Sequence, residues 1–264
     1  MLYQAPRNES SIVIVAAVIF AVQRMFFLAS FPRLLLFLTT TMKTVYLIRH
    51  AESEENERIA SLKNIGSSIG RFRLPSSTDL GRSVQLLNIP AQVDTPLSAV
   101  GRQQVAWMGQ KLRQDQFATE LVVHSPLERA KETCWGMLGC CVGKESNCSA
   151  RVFELESLSE KYPSEWLPGY ATSFQKRIQS MEDWLHSQPE ATVALVGHSQ
   201  YFKAMLGLDF KFGNCEVWKV EFDGSRTEST EEGQEYKLPP RWSQLERVYK
   251  CNLAEDPDQQ SVLD

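Results

Sequence analysis

Thr44-Val45-Tyr46-Leu47-Ile48-Arg49-His50 is a short β-branched and apolar run that ends abruptly in an arginine and a histidine. A run of this kind, with no strict polar alternation, fits a strand covered on both faces, so it predicts a central parallel strand. Working outward, similar runs recur at Glu120–His124 and Thr192–Val196. Between them lie segments with helical periodicity at Ser98–Gln114, Pro126–Leu138 and Ser173–Ser187. The alternation predicts an α/β fold of three layers, with a mostly parallel central sheet and helices on both faces. Ser98 is placed to cap the first helix, whose Val105, Met108 and Leu112 share a face, and Pro126 fits the first turn of the second. Val217–Phe222 adds a further strand.

In open parallel sheets, reactive groups collect where strands end at their carboxyl edge. Here the strand ends read Arg49-His50, His124-Ser125-Pro126-Leu127-Glu128-Arg129, and Gly197-His198. Two arginines and two histidines meeting at one edge would repel one another unless an anion joined them. Guanidinium forks match phosphate oxygens, and an imidazole can attack phosphorus. Such chemistry also needs a proton donor for the leaving oxygen, so a carboxylic acid is expected nearby. His124 and His186 are read as ordinary satisfied histidines, and Glu52 as a structural carboxylate.

Four motifs in order then resemble the histidine phosphatase superfamily, in the branch typified by phosphoglycerate mutase. They are Arg49-His50-Ala51-Glu52-Ser53 with Asn56, Asp94-Thr95-Pro96-Leu97-Ser98 with Gly101 and Gln104, Ser125-Pro126-Leu127-Glu128-Arg129-Ala130 with Thr133, and Gly197-His198-Ser199. Ala51 stands where the family carries Gly. The resemblance implies that His50 becomes phosphorylated, that Arg49, Arg129 and His198 hold the phosphate, and that Asn56 lines the same pocket. It places the acid in the stretch holding Glu154, Glu156 and Glu160, and Leu158-Ser159-Glu160-Lys161-Tyr162 favours Glu160 over Glu156. The catalytic set is therefore His50, Glu160 and His198. The expected activity is hydrolysis of a small phosphate ester. The alternatives are a mutase-type phosphotransferase, and a membrane-tethered protein phosphatase or inactive scaffold of the same fold. Mutases carry a Trp before the motif's Asn and a Glu-Arg-x-Tyr-Gly run. This chain has Glu55 and Glu160-Lys161-Tyr162-Pro163 instead, which favours hydrolysis.

Other chemistries are excluded by spacing. Gly139-Cys140-Cys141-Val142-Gly143-Lys144 is one residue short of a P-loop and is followed by Glu145. Gly197-His198-Ser199-Gln200-Tyr201 lacks the second glycine of a serine-hydrolase elbow, and no histidine follows it. No cysteine has an arginine six positions on, which rules out a cysteine-phosphatase loop. The six cysteines contain no zinc-finger spacing and are read as mostly buried and reduced. No metal or cofactor is expected, since arginines and histidines supply the positive charge. A formal charge of -4 argues against nucleic acid as a partner and leaves a small phosphorylated substrate.

At 264 residues the chain accommodates one catalytic domain with tails. The expected boundaries are 1–41 for a hydrophobic N-terminal segment, 42–222 for the catalytic domain, and 223–264 for a polar tail or surface wrap. Ile12–Val22 spans only about 16 Å as a helix, half a bilayer core, and extending it to residue 38 brings in Arg24 and Arg33. A membrane contact through residues 12–38, a transit segment, and a start at Met42 with a cytoplasmic product all remain open. Within the domain, an insertion at 57–93 carries Arg58, Lys63, Arg71, Arg73 and Arg82 against Glu57 and Asp79. It is read either as a basic lid over the pocket or as a solvated insertion.

Overall fold

β1 (Met42–Arg49) hydrogen-bonds on both edges, parallel to β4 (Thr192–Gly197) on one side and antiparallel to β5 (Val217–Asp223) on the other. The computed structural model describes residues 42–56, 94–144, 148–162, 165, 171–227 and 236–253. The remaining strands are β2 (Leu121–His124), β3 (Arg151–Glu154) and β6 (Trp242–Tyr249), and the six form one sheet in the order β3-β2-β4-β1-β5-β6. The first four in that order are mutually parallel, and β5 and β6 add an antiparallel edge.

Alternate residues of the central strands feed two different cores. Val45, Leu47, Leu121, Val123, Val193 and Leu195 pack with α3 (Ala171–Ser187) and α4 (Ser199–Leu206), through Ile178, Met181, Phe202 and Met205. Ile48, Val122, Ala194 and Val196 pack with α1 (Ala99–Gln114) and α2 (Glu128–Leu138), through Val105, Met108, Leu112 and Cys134. Helices on both faces of the sheet give the three layers expected. Both faces of a strand are thus dry, which is why its sequence shows no polar alternation.

Two expectations need correction. Residues 242–249 belong to the sheet, not to a tail or surface wrap: β6 pairs with β5, burying Trp242, Ser243 and Leu245 while Gln244 and Glu246 face out. That alternation marks a strand wetted on one face. α2 starts two residues after Pro126, with Leu127 at its N-cap and no side-chain cap of its own. Asp94 supplies the missing cap from outside the helix, its Oδ1 accepting from the Glu128 amide at 2.6 Å. β3, α4 and the 3₁₀ turn Glu156–Leu158 add elements that periodicity did not announce. The 1–41 segment and the insertion 57–93 lie outside the described residues. Among the described residues, no helix is long and apolar enough to cross a membrane.

The start of α1 is fastened to the turn that follows β1. Ser98 caps the helix by accepting from Gly101 N at 3.0 Å, and its hydroxyl donates to Glu52 Oε1 at 2.9 Å. The Ser98 amide donates to the Glu52 carbonyl at 3.0 Å, and Gln104 Oε1 accepts from Glu52 N at 2.9 Å. Glu52 is therefore a structural carboxylate, and what it holds is a helix cap. The packing leaves no room at residue 101, where a Cβ would fall 1.9 Å from the Glu52 carbonyl oxygen. Gly101→Ala must push the helix and the turn apart. We expect a loss of about 2 kcal/mol or more in urea denaturation, the range typical of overpacking. A change within about 0.5 kcal/mol would refute the close approach.

Candidate active site

Parallel pairing aligns the strand ends. Arg49 sits opposite Gly197, and His124 opposite Val196, so the residues that follow emerge side by side. The His50 amide donates to Gly197 O at 2.9 Å, and the Ser125 amide to Val196 O at 3.0 Å. The His50 and His198 rings end 5.1 Å apart, centroid to centroid, and both are buried.

Each imidazole is held by one nitrogen. His50 Nδ1 lies 2.6 Å from the Ala51 carbonyl oxygen, which can only accept, so the ring proton sits on Nδ1 and Nε2 keeps its lone pair. The Ala51 amide in turn donates to Thr133 Oγ1, and that hydroxyl donates to Arg129 O one turn back in α2. His198 Nε2 lies 2.8 Å from Ser125 Oγ, while its Nδ1 faces Glu160 Oε2 at 3.4 Å.

Arg129 is buried, with Nη1 3.9 Å from Glu55 Oε2. Arg49 Nη1 donates to the Phe212 carbonyl, which ties the arginine to the segment leading into β5. Glu160 follows the 3₁₀ turn and reaches the histidines, whereas Glu156 is exposed and accepts from the Tyr162 hydroxyl at 2.7 Å. Asn56 is placed by its amide, which donates to Ser53 Oγ at 3.4 Å. Eight buried side-chain polar atoms lack a hydrogen-bond partner among the described residues. Four of them belong to this set: Arg49 Nε, Asn56 Nδ2, Glu160 Oε1 and His198 Nδ1.

Electrostatics follow from burial next to cations. The His50 pKa lies well below the ordinary 6.5, first through burial and then through the charges of Arg129 and Arg49. His198 is lowered well below its usual value by burial, then by His50 and Arg129. Burial raises the Glu160 carboxyl, with Arg129, the Lys161 amide and Arg49 pulling the other way. Both imidazoles are thus neutral at neutral pH, and Glu160 holds its proton to higher pH than an exposed glutamate.

His50, Glu160 and His198 could between them ligate a cation, since one donor atom from each lies within 4.8 Å of the others. The adjacent guanidinium charges of Arg49 and Arg129 oppose a cation and favour an anion. His124 has the ordinary role expected of it. Its Nδ1 lies 3.0 Å from the Ser125 carbonyl, and its Nε2 accepts from Val142 N at 3.1 Å, joining β2 to the loop after α2. All six cysteines are free, four of them buried. Ser125, Glu55 and Arg177 stand in or against the cluster and were not singled out by sequence. Ser125 carried a signal as the first residue of its motif and Glu55 as the residue standing where mutases carry a Trp, while Arg177 carried none.

A family model, histidine phosphatase superfamily (branch 1), matches residues 84–142, a span that takes in α1, β2, Ser125 and Arg129. No curated protein matches this chain. Similar solved structures include an alpha-ribazole phosphatase from Shigella flexneri, 17% identical, covering 67% of this chain and 89% of that chain with a TM-score of 0.44. Phosphoserine phosphatase from Entamoeba histolytica is 17% identical, covering 67% and 90% with a TM-score of 0.41. A mycobacterial glucosyl-3-phosphoglycerate phosphatase is 17% identical, covering 78% and 98% with a TM-score of 0.43. These overlays are loose, and the fold rests on the sheet order and register given above.

The depressed histidines bear on stability. The folded chain takes up their protons at lower pH than the unfolded chain, so their contribution is present above pH 6.5 and is lost as pH falls toward the folded values. Glu160, raised from 4.5, acts with the opposite sign, losing its contribution as pH rises through its folded value. A His198→Asn variant keeps Glu160 and removes one histidine. In urea titrations the stability of wild type relative to this variant should fall by about 1.4 kcal/mol per pH unit below 6.5. A difference that stays constant down to about pH 5 would show that His198 is not held neutral.

Proposed function

We propose that this protein is a phosphatase that hydrolyses a small phosphate ester through a phosphohistidine on His50. The observation that carries the reading is the fixed tautomer of His50: Nδ1 bound to the Ala51 carbonyl, Nε2 bare, in a buried setting that keeps the ring neutral. A nucleophile needs that lone pair unprotonated and aimed.

In the first step Nε2 attacks phosphorus, the ester P–O bond breaks, and the leaving oxygen takes its proton from Glu160. As the ring gains positive charge, the Nδ1 proton becomes more acidic and its bond to the Ala51 carbonyl strengthens. Arg49, Arg129, Asn56 and His198 bind the phosphoryl oxygens, which supply acceptors for the Arg49 Nε, Asn56 Nδ2 and His198 Nδ1 atoms. In the second step water attacks phosphorus, the Glu160 carboxylate takes the water proton, the N–P bond breaks, and inorganic phosphate leaves. Positive charge for the transition state comes from side chains, so the mechanism invokes no metal.

The test is release of inorganic phosphate from p-nitrophenyl phosphate and a panel of phosphorylated metabolites, with and without a chelator. Wild type should be unaffected by the chelator, and His50→Ala should lose about 10³-fold or more in kcat/KM. Equal activity in wild type and His50→Ala would overturn the phosphohistidine. Transfer of phosphate to a second hydroxyl without release would mark a mutase, and inactivity of wild type on every substrate a scaffold.

A further inference from the structure

Glu160 sits just past a 3₁₀ turn, on a stretch with no helix or strand to hold it, yet an acid must stay within reach of the leaving oxygen. The neighbouring carbonyls converge on one side chain. Arg177, on α3, donates from Nη1 to the carbonyls of Ser157 and Ser159 and from Nη2 to the carbonyl of Glu160 at 3.1 Å. Its remaining donors grip Glu165 as a fork, Nε to Oε1 at 3.3 Å and Nη2 to Oε2 at 2.7 Å. These five bonds match the five N–H groups of a guanidinium. Glu165 also accepts from the Tyr162 amide at 2.8 Å, which closes the loop on its far side. The guanidinium lies against aromatic rings, 4.6 Å from the centre of Tyr162 and 5.0 Å from that of Phe174.

We propose that Arg177 is a positioning residue for the general acid: by binding the backbone on both sides of Glu160, it aims that carboxyl at the ester oxygen. The proposal rests on the reading of Glu160 as the acid. Arg177 touches neither the reacting atoms nor the Glu160 carboxyl, and it acts through the backbone. Lysine cannot replace it, because one ammonium cannot reach three carbonyls and a carboxylate fork at once.

An arginine that merely held the fold together would lower activity on all substrates alike. One that aims the acid matters more as the leaving group worsens. The experiment therefore measures kcat/KM, which reports the step where the leaving group departs, for p-nitrophenyl phosphate and phenyl phosphate. These differ little in size but strongly in their need for a proton. The full-length chain is compared with Glu160→Gln, Arg177→Met, Arg177→Lys and Glu165→Gln, each checked for cooperative unfolding.

Glu160→Gln should lower the phenyl phosphate value about 10²-fold or more and the p-nitrophenyl phosphate value about tenfold at most. Arg177→Met and Arg177→Lys should show the same selectivity, with phenyl phosphate falling at least about tenfold further than p-nitrophenyl phosphate. Glu165→Gln, which loosens the fork and leaves the arginine in place, should shift the ratio in the same direction by less, and it serves if the arginine variants do not fold. A selective Glu160→Gln beside arginine and Glu165 variants that lose both substrates equally overturns the positioning role alone. An unselective Glu160→Gln overturns the acid assignment, and the positioning role with it.

Discussion

β1 and β4 pair in parallel with Arg49 opposite Gly197, and the rest of the site depends on that register. Side chains alternate along a strand, so a slip of one residue would turn His50 away from His198 and exchange the two buried faces of β1. The pairing is secured by the sheet on both sides, since β1 also runs antiparallel to β5 over seven residue pairs. The His50 amide continues the ladder to Gly197 O, so His50 is held by backbone before its ring makes any contact. The cluster of arginines and histidines is therefore a consequence of strand pairing, and it stands on the two cores packed against the sheet.

The same arrangement explains why the imidazoles are neutral. Buried rings beside guanidinium groups lose their protons readily, which suits an attacking lone pair at His50. Glu160 is driven the other way by burial, toward holding its proton. One buried site thus separates base-like and acid-like groups, the pattern expected where two titratable groups must play opposite parts.

The central strands were legible because strands buried on both faces read as plain apolar runs, and Val45, Leu47 and Ile48 are fully buried. His50, Arg49 and His198 were legible because each stands at or directly after a strand end, and Arg129 because it lies in the first turn of the helix that follows β2. Choosing Glu160 over Glu156 rested on resemblance alone, and the structure separates them by where each carboxylate points. β6 was hidden by its polar side chains: exposed Gln244 and Glu246 alternate with buried Ser243 and Leu245, and exposed Arg247 follows, in a region of polar composition. Arg177 was illegible for a different reason. Its partners lie up to twenty residues back in a loop, and no local pattern marks an arginine whose donors are spent on backbone carbonyls.

The central claim is that phosphate passes through Nε2 of His50. It is tested most directly by trapping the intermediate in Glu160→Gln, mixed with p-nitrophenyl phosphate in a single turnover and quenched in alkali. The good leaving group departs without an acid, but water then lacks its base, so the phosphoenzyme should accumulate. Mass spectrometry of the peptide holding His50 should find one phosphoryl group on that residue, stable to alkali and lost in acid. A phosphoryl group on another residue, or none at all while nitrophenol is released, would contradict the account.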